Sequence, residues 1–86
     1  MLNNMTLILV LMVITYSNAY YPPHTHADVT THLIRRGTFT VKYPEDKAQG
    51  GAGKDTFEAG ARIDVPAGKL HEVWIGPEGC EYVIGE

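Results

Sequence analysis

The sequence predicts an all-β domain, either a small barrel or a sandwich. After residue 20 the apolar residues follow the two-residue alternation of half-buried strands, and no helical period appears. The alternating runs are short, and turns rich in glycine and proline separate them, which is typical of barrels and sandwiches. With 86 residues, the chain has room for one domain.

The predicted strands are short runs rich in β-branched and aromatic residues. They cover residues 30–34, 38–43, 61–65, 71–75 and 80–84. The first two runs are predicted to form a hairpin, with Gly37 at its bend. Residues 44–55 are polar and contain three glycines, but they lack the spacing of a phosphate-binding loop. We therefore expect a flexible hairpin tip at this point.

The N-terminal region, residues 1–20, contains an almost wholly apolar run, and its role stays open. Its length of about 11 residues suits the core of a signal peptide, with cleavage after Ala19, although no Lys or Arg precedes it. A Leu-rich and β-branched run of this length also suits a first barrel strand, and a misplaced gene start is a third interpretation. The protein would be secreted in the first case and cytoplasmic in the second.

Composition excludes several classes of protein. The net charge is −3 and the two signs are mixed along the chain, so no nucleic-acid-binding surface is expected. The apolar run of about 11 residues is shorter than the 17–25 residues that a membrane-spanning helix needs, so stable membrane insertion is not expected either. Cys80 is the single cysteine, which excludes an intramolecular disulfide and predicts a buried core residue.

Three histidines form the strongest candidate site. His24 and His26 are two residues apart, so in an extended segment their imidazoles project to the same side. His71 follows far downstream, after a Pro-Ala-Gly bend. If the fold brings His71 beside the pair, the three imidazoles would bind a transition metal and leave coordination positions open for a small molecule.

Over residues 22–86 the chain resembles the cupins, a family of small jelly-roll barrels, through two motifs. The first motif is a His-x-His pair followed by a Glu and a Gly, and it matches His24, His26 and Gly37, with Thr30 in place of the Glu. The second motif runs from a Gly through Pro-x-Gly to a His and an Asn. It matches four residues here, with Ile75 at the Asn position: Gly60, Pro66, Gly68 and His71. The looser likeness is to small single-domain cupins of fungi.

The resemblance implies a short, closed cupin-type jelly-roll β-barrel (a double-stranded β-helix) over residues 21–86. It implies that His24, His26 and His71 bind a divalent transition metal such as Fe, Zn, Ni, Cu or Mn. Thr30 is a poor ligand, so the usual fourth protein ligand is missing, and His32, two residues further along the same face, is a possible additional site residue.

Two functional classes follow from the resemblance. The first is a metal-dependent enzyme acting on a small organic molecule, with dioxygenase-like or isomerase-like chemistry. The second is a non-catalytic barrel that binds or stores a small molecule and has a degenerate metal site. A homodimer is expected in either case, because small cupins associate and short open sheets invite pairing.

Overall fold

The computed structural model describes residues 10–46 and 53–86, which form six β-strands and no helix. All pairings between these strands are antiparallel. The all-β prediction is therefore confirmed. The strands are β1 (Val10–Thr15), β2 (Tyr20–His24), β3 (Thr30–Lys42), β4 (Lys54–Phe57), β5 (Arg62–Val65) and β6 (His71–Gly85).

The two long strands, β3 and β6, form the centre of the fold. They pair with each other along almost their whole length, and each contributes to two half-sheets. In the first half-sheet the order is β1-β6-β3-β5, and in the second it is β2-β6-β3-β4. The inward-facing side chains of the two half-sheets meet in one core, as in other two-layer β folds.

The predicted hairpin at Gly37 is wrong, because residues 30–42 form the single strand β3. Gly37 has a φ of 83°, the left-handed conformation that a turn would also require. Here that conformation serves a bulged stretch of β3, with register shifts on both sides of Gly37 opposite β6. A Cβ at Gly37 would overlap the carbonyl oxygen of Gly79, so the close approach of the two strands also requires glycine.

In the second half of the chain, two predicted strands likewise form one long strand. Residues 71–75 and 80–84 were predicted as separate strands, but both belong to β6, which continues through the glycines and proline between them. Glycine and proline mark a bend in a long strand here and not its end. β4, which begins at Lys54, lies partly in the predicted polar loop, whose residues 47–52 are outside the described residues.

The sheet is not closed, so the structure differs from the predicted closed barrel. Among the described residues, no pairing joins β4 or β5 on one side to β1 or β2 on the other. The described residues provide six strands, of which β4 and β5 have four residues each and pair only with β3. The fold is thus an open, two-layer version of the expected jelly roll.

The C-terminal part of the apolar N-terminal run forms β1. It pairs residue by residue with the last part of β6, from Val10 opposite Gly85 to Thr15 opposite Cys80. The Thr15 hydroxyl also donates a hydrogen bond of 3.0 Å to the Cys80 carbonyl. Residues 5–9 of the run lie outside the described residues, and cleavage after Ala19 stays a prediction.

The core is made of aliphatic and aromatic residues from both half-sheets, with Cys80 among them as expected. Burial of these side chains supplies the main driving force for folding. Within the described ranges, no helix has the length and apolarity needed to cross a membrane. The buried apolar residues are Ile34, Phe39, Val41, Ile63, Val65, Val73, Ile75, Cys80 and Tyr82.

Candidate metal centre

Strand pairing brings His24 and His71 together. His24 is the last residue of β2 and His71 is the first residue of β6, and the two are directly opposite each other in the antiparallel pair. Their ring centroids are 4.2 Å apart. His71 is almost fully buried, at 1% exposure, while His24 is half-buried at the rim. Two imidazoles distant in sequence therefore share one site because of the register between β2 and β6.

A backbone hydrogen bond places the third histidine. His26 follows the end of β2, and its carbonyl accepts a hydrogen bond of 2.9 Å from the Gly68 N–H. The bend that delivers His71 is therefore tied to the segment that carries His26. The His26 ring centroid lies 5.1 Å from those of His24 and His71. The two sequence motifs thus meet through their backbones as well as through their side chains.

The three histidines come close to the geometry that binding one ion requires. One nitrogen from each ring lies within 4.8 Å of the other two. Metal–nitrogen bonds of about 2.0–2.1 Å allow two nitrogen ligands to be at most about 4.2 Å apart. Small side-chain rotations are therefore enough to close the set around an ion.

Two backbone carbonyls fix the protonation of the rings. The Nδ1 of His24 lies 2.8 Å from the Pro22 carbonyl oxygen, and the Nδ1 of His71 lies 2.9 Å from the Lys69 carbonyl oxygen. A carbonyl only accepts, so each Nδ1 carries a proton, and Nε2 is the nitrogen left to face a metal. Metal-binding histidines commonly have this arrangement, in which a carbonyl or a carboxylate orients the ring.

The surroundings also favour the neutral imidazole that a metal requires. Burial lowers the pKa of His71. The hydrogen bond to the Lys69 carbonyl raises this pKa, and the neighbouring histidines lower it. Burial likewise lowers the pKa of His26, with His24 as a further cause. Both rings are therefore uncharged near neutral pH, so they need not lose a proton before binding an ion. The donor set fits a divalent transition metal.

Thr30 occupies the position of the missing fourth ligand, and its hydroxyl is already engaged. The residue is completely buried at the start of β3. Its Oγ1 donates a hydrogen bond of 3.1 Å to the Asp28 carbonyl. The hydroxyl thus closes the bend before β3. The only group of three or more potential ligands among the described residues is the histidine trio.

His32 lies in the core beside the trio but is not a member of it. Its side chain is 4% exposed, and its ring packs against Phe39 and Tyr82 with centroid distances of 5.2 and 5.4 Å. Within the described part of the chain, its Nδ1 has no hydrogen-bond partner. Burial lowers the pKa of His32 to about 4, and repulsion from His26 and His71 contributes.

The structure adds three residues that the motifs did not single out as a group. Tyr43 has its ring centroid 6.5 Å from that of His71. The Lys69 ammonium lies 4.8 Å from the Tyr43 ring centroid and forms a 2.8 Å ion pair with Asp46. These residues border the trio on the side of β3. The sequence signal was weak, because only the position of Lys69 two residues before His71 points to the site.

A surface cavity of about 560 Å³ lies elsewhere, where β3 bends. It is lined by Arg36, Gly37, Thr38, Glu58, Ala59 and Glu78, none of which belongs to the histidine trio. The histidines with lowered pKa values and the converging ring nitrogens belong to the trio, away from this cavity. We therefore assign the candidate site to the trio.

Comparison with known proteins identifies the fold. No protein-family model and no curated protein sequence matches this chain. Among solved structures, a cupin-2 domain protein from Shewanella frigidimarina is 22% identical, with a TM-score of 0.65 over 90% of this chain and 65% of its own. A Neisseria meningitidis protein is 25% identical, with a TM-score of 0.67 over 90% of this chain and 70% of its own.

A larger enzyme contains a similarly folded unit. The W96Y variant of oxalate decarboxylase from Bacillus subtilis is 20% identical, with a TM-score of 0.74 over 88% of this chain and 20% of its own length. That enzyme has Mn(II) centres. The chain thus spans about two thirds of the Shewanella protein and a fifth of the decarboxylase.

These likenesses define the class of protein. It is a small, open, all-β domain with three histidines converging at one end of its core. More specifically, the chain has the cupin fold, and the resemblance carried by the two motifs is confirmed.

Proposed function

We propose that this protein is a small cupin that binds one divalent transition-metal ion through His24, His26 and His71 and presents it to a small organic molecule. The observation that carries this proposal is the pair of Nδ1–carbonyl contacts at His24 and His71. These contacts leave the Nε2 atoms available as metal ligands, which is the orientation common among metal-binding histidines.

The donor set narrows the class of ion. Three imidazoles suit Zn, Cu, Fe or Ni, and a neutral set with open positions also accepts Mn. When bound, such an ion would supply a Lewis acid, or a redox centre if it is Fe, Cu or Mn. With three protein ligands, further coordination positions remain for water or an organic molecule.

The charge of the site indicates the class of organic ligand. The trio contains no carboxylate, and Thr30 stands where the family motif has a Glu. Three neutral imidazoles leave the full +2 charge of the ion in a half-buried environment, where charges are poorly screened. We therefore propose an anionic organic ligand, such as a carboxylate or an enolate, that would offset this charge.

His32 has a separate role in the proposal. Its buried Nδ1 lacks a partner among the described residues, and a buried polar atom of this kind is costly unless a ligand or water satisfies it. We place His32 as a hydrogen-bonding group for the organic ligand. Its lowered pKa keeps the ring neutral near pH 7, so it can either accept or donate a hydrogen bond there.

The first reaction class we propose is a dioxygenase-like oxidation of the ligand, and an isomerase-like reaction is the second. Both classes fit an ion with open positions, and neither requires a protein carboxylate beside the ion. The chain's own contribution is to hold the three rings, to exclude water through its buried core and to orient the ligand through His32.

Metal binding by purified protein tests this proposal. We expect one equivalent of bound metal by mass spectrometry, and Co(II) should give a visible spectrum with nitrogen ligands. His71→Ala should weaken Co(II) affinity by more than the roughly 10–100-fold loss that removal of an outer-shell partner causes. His32→Gln is the matched control and should retain the metal. Unchanged Co(II) affinity in His71→Ala would refute the metal site.

A second function is favoured by Thr30. Thr30 supplies no carboxylate at the fourth ligand position of the motif, and its hydroxyl donates a hydrogen bond to the Asp28 carbonyl. A fold that has lost one ligand suits a metal-free protein that binds a small molecule without catalysis. Absence of metal binding at any supplied concentration, combined with binding of a carboxylate ligand that His32→Gln abolishes, would favour this function over the first.

A further inference from the structure

The unpaired ring nitrogen of His32 is fixed in place inside the core. Phe39 and Tyr82 pack against the ring and are themselves core residues, so they hold its orientation. The ring therefore does not turn its Nδ1 toward solvent, and that atom has no hydrogen-bond partner in the described part of the chain. An empty position of this kind is costly, so a molecule that fills it gains affinity.

The hydroxyl groups nearest to His32 in the sequence are engaged with other atoms. The Thr30 hydroxyl donates a hydrogen bond of 3.1 Å to the Asp28 carbonyl. The Thr31 hydroxyl donates a hydrogen bond of 2.6 Å to the Asp64 carboxylate. Neither threonine therefore supplies the missing partner of the His32 Nδ1, which leaves that position to a ligand.

The backbone of Ile63 decides which nitrogen of His32 carries the proton. Ile63 lies directly opposite His32 in the antiparallel pair of β3 and β5. Burial lowers the pKa of His32, whereas a hydrogen bond to the Ile63 backbone raises it. A backbone group that raises the pKa of an imidazole accepts a proton from it, so the contact is with the carbonyl. Because Nδ1 has no partner, the N–H is at Nε2, and Nδ1 presents a lone pair.

This lone pair lies near the candidate metal centre. The charges of His26, His71 and His24 each lower the pKa of His32, so the four rings are neighbours. Resting on the metal-binding function proposed above, we infer that the organic ligand is a hydroxy carboxylate. Its carboxylate would bind the ion, and its hydroxyl group would donate a hydrogen bond to the His32 Nδ1.

Related ligands fit this arrangement less well. A simple carboxylate leaves the His32 Nδ1 unpaired, and a methyl ether has no proton to donate to it. The ammonium group of an amino acid could donate, but it would share a half-buried site with a divalent ion, where repulsion between like charges is poorly screened. A hydroxyl group donates a hydrogen bond without adding charge.

Ligand titrations of the Co(II)-loaded protein test the inference, with the visible Co(II) spectrum as the signal. The probes are lactate and 3-hydroxypropionate, which carry a hydroxyl group, and propionate, which lacks one. Because a hydroxyl group can also bind Co(II), the preference for a hydroxyl is compared between wild type and His32→Leu, and this cycle cancels the contribution of the metal. We expect His32→Leu to reduce the preference about tenfold, which is the effect of one hydrogen bond.

The ether 2-methoxypropionate is the matched control ligand, because it keeps an oxygen for the metal but cannot donate. If it binds as tightly as lactate, or if His32→Leu leaves the preference for a hydroxyl unchanged, the inference is wrong and the metal site stands. If the protein binds no Co(II), the proposed function fails and this inference fails with it.

A measurement on wild type does not depend on the folding of a variant. In the Zn(II)-loaded protein, the ¹⁵N resonance of the His32 Nδ1 should have the chemical shift of an unprotonated ring nitrogen. It should move when lactate or 3-hydroxypropionate is added and stay in place with propionate. A protonated Nδ1, or a resonance that neither hydroxy carboxylate moves, would overturn the inference.

Discussion

His32 gives the fold a built-in sensitivity to acid. The ring is 4% exposed, and burial lowers its pKa from 6.5 to about 4. In the unfolded chain His32 takes up a proton near pH 6.5, whereas in the folded protein it stays neutral until about pH 4. Between these values the unfolded state binds more protons, so folding stability falls as the pH falls through this window. Above pH 6.5 the ring is mostly neutral in both states, so His32 gives the folding stability little dependence on pH.

The size of the effect follows from the two pKa values. A difference of roughly 2.5 units, at about 1.4 kcal/mol per unit, corresponds to about 3 kcal/mol lost between pH 6.5 and pH 4. That is a large part of the 5–15 kcal/mol total stability typical of small domains. His26 and His71 also have lowered pKa values and contribute in the same direction, so part of the slope belongs to them.

The perturbation is His32→Leu, which removes the titrating group and keeps a similar volume. We expect the loss of unfolding free energy between pH 6.5 and 4 to be about 3 kcal/mol smaller in the variant. At pH 7 the substitution should be nearly neutral or stabilising, because it removes a polar atom that has no partner among the described residues. His32→Gln should flatten the pH dependence of the unfolding free energy to the same extent, because it also removes the titrating ring. This variant separates the effect of protonation from the effect of changed packing.

The assay is urea unfolding followed by Trp74 fluorescence at several pH values, with a chelator present to remove metal. The comparison uses the difference in unfolding free energy between pH 7 and pH 4, so an error in the absolute extrapolation matters less. If wild type and both variants lose the same free energy over this range, the buried neutral state of His32 is wrong.

Two further predictions concern stability. Gly37→Ala should destabilise the fold by more than about 3 kcal/mol, because its Cβ meets backbone atoms of β6. Gly60 also has a positive φ but open space around it, so Gly60→Ala should lower the free energy of unfolding by only about 1–2 kcal/mol. Equal losses in the two variants would contradict the close approach of Gly37 to the backbone of β6. Val41→Ala, at a core position 1% exposed, should cost about 2 kcal/mol in urea unfolding. The exposed Val29→Ala should change stability by less than about 0.5 kcal/mol, and a similar loss at both positions would place Val41 outside the core.

The candidate site could be identified from the sequence to a large extent. The spacing of His24 and His26, and the Pro-x-Gly bend before His71, are local features that a linear motif records completely. The role of Gly68 was predicted only as a turn residue. In the structure its N–H also binds the His26 carbonyl, a contact between segments more than 40 residues apart. Such a contact leaves no periodic signal in the sequence.

The strand boundaries show where local reasoning fails. Gly37 carries the same positive φ in a bulge as it would in a hairpin turn, so the residue type does not distinguish the two. The pairing of β3 with β6 over both half-sheets decides in favour of the bulge. An apolar run of this length suits a leader or a strand, so local reasoning leaves both open. The structure shows that residues 10–15 pair with β6, and cleavage after Ala19 stays a prediction.

By itself, the sequence determined the all-β class, the motif histidines and the missing carboxylate at Thr30, because alternation, turn chemistry and ligand type are properties of neighbouring residues. Tertiary structure alone decided the open sheet, the carbonyl contacts that orient His24 and His71, and the lack of a hydrogen-bond partner for the His32 Nδ1 among the described residues. These features depend on which strands pair and in which register, and that choice is made by packing between segments far apart in the chain.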